Sequence, residues 1–155
     1  MSETSRGNRK IPVVSSPDLP LAGELIASGF SGWADELIEE FRVHAQDGHV
    51  GSHLLSENNR VRVWEIRLAP GERWHAHRHV LDYFWTAVTS GRSIQHTHDG
   101  TTRAVEYEAG ETRHFRFARG EFLLHDIENV GEADIVFTTV EHLDSENSPL
   151  PIEPG

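Results

Sequence analysis

The chain of 155 residues contains no cysteine, so it has neither a disulfide framework nor a thiolate to act as nucleophile or ligand. Any metal it binds must be held by imidazole, carboxylate, phenolate or water, and papain-like chemistry is excluded. Lysine occurs once, as Lys10, which removes Schiff-base catalysis by a buried amine. Basic charge is scarce altogether. The formal net charge is −11 and the one small basic cluster, Arg6, Arg9 and Lys10, sits in a polar tail, so no nucleic-acid partner is expected. No apolar run approaches the ~20 residues of a membrane-spanning helix, and the start MSETSRGNRK lacks the apolar segment of a secretory signal. A soluble, cytoplasmic protein with no membrane partner is expected, and its catalytic options narrow to histidine, carboxylates, Tyr, Ser or Thr, and a metal.

The length suits one domain with a real core. Residues 1–20, rich in Ser, Pro and charge, read as a flexible arm. Residues 21–48 read as a helical lead-in. In GWADELIEEFRVHAQ the apolar Trp33, Leu37, Phe41 and Ala45 recur every four residues, with acids early and Arg42 late as the helix dipole favours. This predicts a helix near residues 31–46, with a shorter one over LAGELIASG before it. Beyond Gly48 the period becomes two. About nine short alternating segments follow, divided by turn residues such as Pro70-Gly71, Asp99-Gly100 and Arg119-Gly120. Strands at this spacing without intervening helices predict a closed barrel or sandwich over 49–143, with Asp99-Gly100 as a two-residue hairpin turn. Residues 144–155 form a Pro-rich C-terminal tail expected to pack along the surface.

The stretch WHAHRHVLDYFW, Trp74 to Trp85, carries the chemistry. Residues two apart in a strand share a face, so His77 and His79 project together, and His125 in EFLLHDIENVG is the candidate third imidazole from a neighbouring strand. The competing reading is a solvated HAHRH edge with a hydrogen-bonded core histidine at 125. His75 shares parity with the pair and is a candidate ligand or pocket residue at the barrel mouth. His96 and His98 repeat the spacing beside Asp99-Gly100 and read as a hairpin tip in solvent. His44, His49, His53, His114 and His142 have no identifiable partner. One of the aromatic pairs Tyr83/Trp85 and Phe84 with its neighbours must face the lumen. An outward Trp85 would form a flat patch suited to a homodimer. Of the strand arginines Arg62, Arg67, Arg73, Arg78, Arg113 and Arg116, one turned inward would grip a carboxylate with both nitrogens.

PGERWHAHRHVLDYFWTAVTSG resembles the first cupin motif, with Gly71, His77, His79 and the closing Gly91 in the motif's spacing. GEFLLHDIENVG resembles the second, through His125 and Asn129. Together with RVRVWEIRLAPGE and EAGETRHFRF, they are similar to the small single-domain cupins (RmlC-like superfamily) of the beta-alanine degradation type, over about residues 59–143. The resemblance implies an all-β fold, a double-stranded β-helix or jelly-roll barrel, with His77, His79 and His125 as metal ligands. The spacing before His125 is longer than usual and lacks the usual proline; Gly120 is positioned to supply that turn.

One departure matters. Cupins usually place a glutamate five residues after the second histidine, where this chain has Phe84. Asp82 is the nearest carboxylate of the same parity, whereas Tyr83 would point to the opposite face unless a bulge intervenes. Three outcomes stand open: Asp82 completes the site, three histidines and waters suffice, or the metal has been lost. The resemblance implies one divalent transition metal, whether iron, manganese, nickel, copper or zinc. It also implies an enzyme acting on a small organic carboxylate or carbonyl compound, of dioxygenase or related type. Asp82 and Tyr83 are the candidate catalytic groups, and Phe84, Asn129 and His75 the candidate pocket residues. The alternative is a non-catalytic cupin that binds a small molecule or stores a metal.

Overall fold

The computed structural model describes residues 21–152; the arm expected over 1–20, the basic cluster in it and the last three residues lie outside that range. Ten strands and one helix follow in order. They are β1 (Glu24–Ala27), α1 (Asp35–Val43), β2 (His53–Glu57), β3 (Val61–Leu68), β4 (Arg73–His79), β5 (Tyr83–Ala87), β6 (Gly91–Thr97), β7 (Thr101–Tyr107), β8 (Thr112–Phe115), β9 (Leu123–Asn129) and β10 (Ile135–His142). Two five-stranded sheets face each other, in the orders β1-β7-β6-β9-β4 and β2-β3-β10-β5-β8. The nine alternating segments after Gly48 are the nine strands β2 to β10.

Period-two burial defines the inside. In β3, Trp64, Ile66 and Leu68 are buried, and Ile66 and Leu68 pack with Ala87, Val105, Tyr107, Ile127, Ile135 and Phe137 between the sheets. Trp85 turns into this core, edge-on to Tyr107 and Phe137, so it forms no outward aromatic patch. A second apolar layer lies outside the first sheet. There the α1 stripe of Leu37 and Phe41, with Trp33 before the helix and Ala45 after it, covers Ala76, Val80, Leu81, Phe122 and Leu124.

Three local expectations are corrected. The segment LAGELIASG is not helical: Gly23 and Gly29 both have positive φ, 95° and 66°. They bracket a piece too short for a helix, which pairs instead with the edge of β7. The β6–β7 connection is a three-residue loop, since Thr97 pairs with Thr101, with Gly100 at φ 88°. His96 and His98 are not a solvated tip. His96 bonds to the buried Asp126 and His98 stacks on Phe122. Gly120, at φ 85°, does supply the turn before β9, and the tail beyond Leu143 ties this region down. Asn147 donates to the carbonyls of Val80 and Ala118, and its own carbonyl accepts from Gly120 N–H.

The feature that sets the site is a β-bulge. His125 pairs with His77, but Ile127 pairs with Trp74, so β4 carries one extra residue between these points. The freed N–H of Ala76 donates to Glu40 Oε2 at 2.9 Å. Glu40 also accepts from both terminal nitrogens of Arg73 at 2.9 Å, and Arg73 donates to the fully buried Asp126 at 2.6 Å. Burial raises the Glu40 carboxyl, yet the Arg73 and Ala76 hydrogen bonds outweigh it and hold the group below its usual range. The helix is thus docked on the bulge by charge-assisted bonds.

Removing that carboxylate has a calculable cost. Glu40→Ala is expected to lower stability by about 1–2 kcal/mol after allowance for solvent screening of a half-buried pair. Glu39→Ala, which breaks only an exposed contact with Arg42, should cost under about 0.5 kcal/mol. Because the folded-state value of Glu40 is depressed, its contribution is present above the ordinary pKa of 4.5 and fades as the pH falls through the folded value. Urea denaturation of both variants at pH 7 and at pH 4 reads all of this.

Candidate metal centre

The bulge explains which histidines meet. On β4 it leaves His77 and His79 facing the space between the sheets and throws His75 to the outer surface. On β9, His125 lies opposite His77. The three rings stand 4.8 to 5.1 Å apart, centroid to centroid. One ligand nitrogen from each lies within 4.8 Å of the others.

Their orientation follows from what each Nδ1 touches. His77 Nδ1 donates to the carbonyl oxygen of His75 at 2.8 Å. His125 Nδ1 donates to Gln95 Oε1 at 3.1 Å, while Gln95 Nε2 donates to the Tyr107 hydroxyl at 2.7 Å, which fixes the amide's direction. Tyr107 is braced in turn by Ser93 Oγ at 2.9 Å. The lone pairs of His77 and His125 therefore sit on Nε2. His79 Nε2 lies 3.2 Å from His125 Nε2. Two nitrogens bonded at ~2.1 Å to one ion with an angle near 100° stand about 3.2 Å apart. His79 Nδ1 is buried without a hydrogen-bond partner. The donor set thus fits a transition ion: neutral imidazoles, converging Nε2 atoms and carbonyl partners on two of the three far nitrogens.

Electrostatics agree with neutral rings. Burial pushes His77 down to about 4, and burial reinforced by the neighbouring histidines pushes His79 and His125 well below the ordinary value. Burial also lifts the Tyr83 hydroxyl well above its usual range and Tyr107 to about 12, so both phenols keep their protons. The rings line a cavity of about 40 Å³. That is room for an ion and a few small ligands. Val50, Ile66, Ile127 and Phe137 make its walls apolar, and among the described residues no arginine or lysine lines it.

The other expected residues fall elsewhere. Asp82 lies in the turn before β5; its Oδ1 accepts from Phe117 N–H at 2.9 Å and it lines an outer depression with Arg116 and Arg119. It does not join the three histidines. Tyr83 does reach the cavity, stacked on His79 at 4.0 Å, because β5 starts at Tyr83 and places it, rather than Phe84, on the inner face. Phe84 points outward to His114 and His142. Asn129 is buried away from the cavity, donating to the carbonyls of Leu68 and Ala133 and accepting from Gly131 N–H. It locks the β9–β10 turn. His75 is stacked on His44. Arg73 does grip a carboxylate with both nitrogens, but that carboxylate is Glu40 and lies outside the barrel.

Two participants escaped the sequence reading. Gln95 shares strand parity with Thr97, which pairs with His125, but nothing in the sequence tells which strand lies beside β9. Glu141 is buried behind Tyr83, its register partner, and accepts from Trp64 Nε1 at 2.8 Å. Burial lifts it to about 7.

These values set a pH dependence. An unfolded histidine takes up its proton near pH 6.5, whereas folded His77 resists until about 4, and burial also holds His79 and His125 well below the ordinary value, so stability should fall as the pH drops below 6.5. Glu141 acts oppositely between its ordinary 4.5 and about 7. Three histidines outweigh one carboxylate, so the metal-free protein should show a net loss on acidification. Urea midpoints should record this, with a shallower slope in His77→Phe.

No family model matches the chain, and no curated protein matches it. Among solved structures it is similar to a cupin domain from Bordetella pertussis Tohama I, with 27% identity over 63% of this chain and 95% of that one, at a TM-score of 0.51. It is also similar to an RmlC-like cupin family protein with a double-stranded β-helix fold from Methanocaldococcus jannaschii, with 18% identity, 58% and 76% coverage and a TM-score of 0.48. A third is a sugar phosphate isomerase of the cupin superfamily from Silicibacter pomeroyi, with 19% identity, 54% and 51% coverage and a TM-score of 0.41. With its two facing antiparallel sheets, the chain has the double-stranded β-helix fold of the cupin proteins.

Proposed function

We propose that the protein is a metal-dependent cupin enzyme in which His77, His79 and His125 hold one divalent transition ion, and that it acts on a small carboxylate or carbonyl compound. The observation that carries this reading is the convergence of three buried, neutral imidazoles whose far nitrogens are held by His75 O and Gln95 Oε1. A three-nitrogen donor set suits iron, manganese, nickel, copper or zinc. When bound, such an ion supplies Lewis acidity toward a substrate oxygen or, for iron, dioxygen binding. The chain's own contribution is to desolvate and shape. Val50, Ile66, Ile127 and Phe137 exclude water, and Tyr83, flat against His79 and protonated, forms a wall whose neutral hydroxyl can donate or accept a hydrogen bond but does not act as a base. The small cavity restricts the substrate to a few heavy atoms, and with no cationic side chain in the lining, a carboxylate would have to be fixed by the ion.

A second reading, a non-catalytic cupin that binds a small molecule or stores the metal, is favoured by one observation: Asp82 is bound to Phe117 N–H, and among the described residues no carboxylate lines the cavity as a general base. Dioxygenase-type chemistry, kinship with the beta-alanine degradation cupins, a homodimer and a cytoplasmic setting belong to the proposal as well. Among the described residues no helix is long and apolar enough to cross a membrane.

The test is elemental analysis of protein purified without an affinity tag. His77→Ala should lose the ion held in the cavity while the barrel stays folded, and Asp82→Asn should keep it within about twofold of wild type. Gln95→Ala, which frees His125 Nδ1, should weaken affinity by about 10–100-fold. Retention of that ion by His77→Ala would sink the site. A loaded ion with no turnover of small carboxylates or carbonyls would favour the binder.

A further inference from the structure

The residues displaced by the bulge assemble on the outer face of β4. The loop after α1 carries His44, Asp47 and His49, and it is pinned to the strand at three points. Arg78 N–H donates to Asp47 O at 2.6 Å, Trp74 Nε1 donates to His49 O at 3.0 Å, and Arg78 Nη1 donates to Ala45 O at 3.4 Å. On this fixed loop, Asp47 Oδ2 lies 2.7 Å from His44 Nδ1 and 3.8 Å from His75 Nδ1. Its Oδ1 accepts from His49 N–H at 2.9 Å and lies 2.7 Å from His49 Nδ1. The His44 and His75 rings stack at 4.2 Å with 26° between their planes.

We propose that His44, Asp47 and His75 form a second site, for a zinc-like divalent transition ion, with His49 orienting the carboxylate. Their ligand atoms already lie within 4.8 Å of one another. Adjacent ligands around an ion with ~2.1 Å bonds stand about 3.0–3.4 Å apart, so closure needs a shift of roughly an ångström or somewhat more. His44 and His75 are 30% and 31% exposed, which gives a hydrated ion a way in; His75 Nδ1 donates to Ala76 O at 2.9 Å, a contact it gives up if it binds through that nitrogen. The two imidazoles supply nitrogen donors side by side, and Asp47 offsets one of the ion's two charges. Two nitrogens and one oxygen favour zinc, nickel or copper over magnesium or calcium. Burial raises Asp47, but the hydrogen bonds from His49 and His44 prevail and keep it ionised. The site shares no ligand with the cavity between the sheets.

The experiment is a zinc titration of the full-length, untagged, metal-stripped protein against a chromophoric chelator. Wild type should bind two equivalents. His77→Ala should keep one, and His44→Ala and Asp47→Asn should each lose one and keep the cavity's. Asp47→Asn retains an oxygen for His49 N–H, so the loop should persist even if His44→Ala were to unfold. If the cavity reading alone were wrong, wild type would bind one equivalent that survives in His77→Ala and disappears in His44→Ala. The proposal is overturned if His77→Ala binds none, or if both His44→Ala and Asp47→Asn leave the stoichiometry unchanged. A zinc-edge anomalous map should place the ion between His44 and His75; a peak elsewhere on the surface would also overturn it.

Discussion

The extra residue in β4 is the constraint on which the site depends. A regular strand would place His75, His77 and His79 on one face, with Trp74 on the other. The bulge breaks that parity: Trp74 joins the core between the sheets, His77 and His79 stay inside, and His75 is turned out. A bulge frees a backbone N–H, which in a half-buried sheet must be satisfied. Here Glu40 accepts it, and the same carboxylate holds Arg73, which holds Asp126 beside His125. The helix therefore does more than cover an apolar face. It fixes the strand irregularity that aims the histidines.

Inside the barrel the same economy applies to the imidazoles. Burial keeps them neutral, and a neutral imidazole has one donor and one acceptor nitrogen. By engaging Nδ1 of His77 with a carbonyl and Nδ1 of His125 with an amide oxygen, the fold turns the Nε2 lone pairs of both rings into the cavity. Lone pairs that converge in an apolar space, without a donor to meet them, are costly unless a cation or a shared proton lies among them. Among the described residues no carboxylate joins them, so a dipositive ion would keep its full charge at the centre, and an anionic ligand would be drawn to it from the cavity side.

Much of this was legible in the sequence. The α1 stripe, the switch to period two and the turn glycines predicted the helix and all nine strands beyond Gly48, because each is a local signal. The HxH pair and His125 were legible from parity and motif spacing. What failed was everything that depends on register. The parity of His75 was misjudged because the bulge is defined by pairing with β9, not by the residues of β4 alone. Asp82 was assigned to the lumen on a parity that begins one residue before the strand does. Gln95 was missed because its value lies in which strand is next to β9. The four apolar or helix-favouring residues of β1 between glycines suggest a helix, since they say nothing about the open edge of β7 awaiting a partner.

The two faces of β4 are not independent. The carbonyl oxygen that fixes the tautomer of His77 belongs to His75, the residue whose ring packs on His44 outside the barrel. Any contact that pulls the His75 ring outward acts through one peptide unit on the acceptor of His77 Nδ1, and so on the direction of the inner Nε2 lone pair. Glu40 limits that movement by holding the N–H of Ala76, the very next backbone group. The sheet between the two histidine clusters is thus a single strand thick, and the bulge that separates the clusters is also the only covalent path joining His75 to His77.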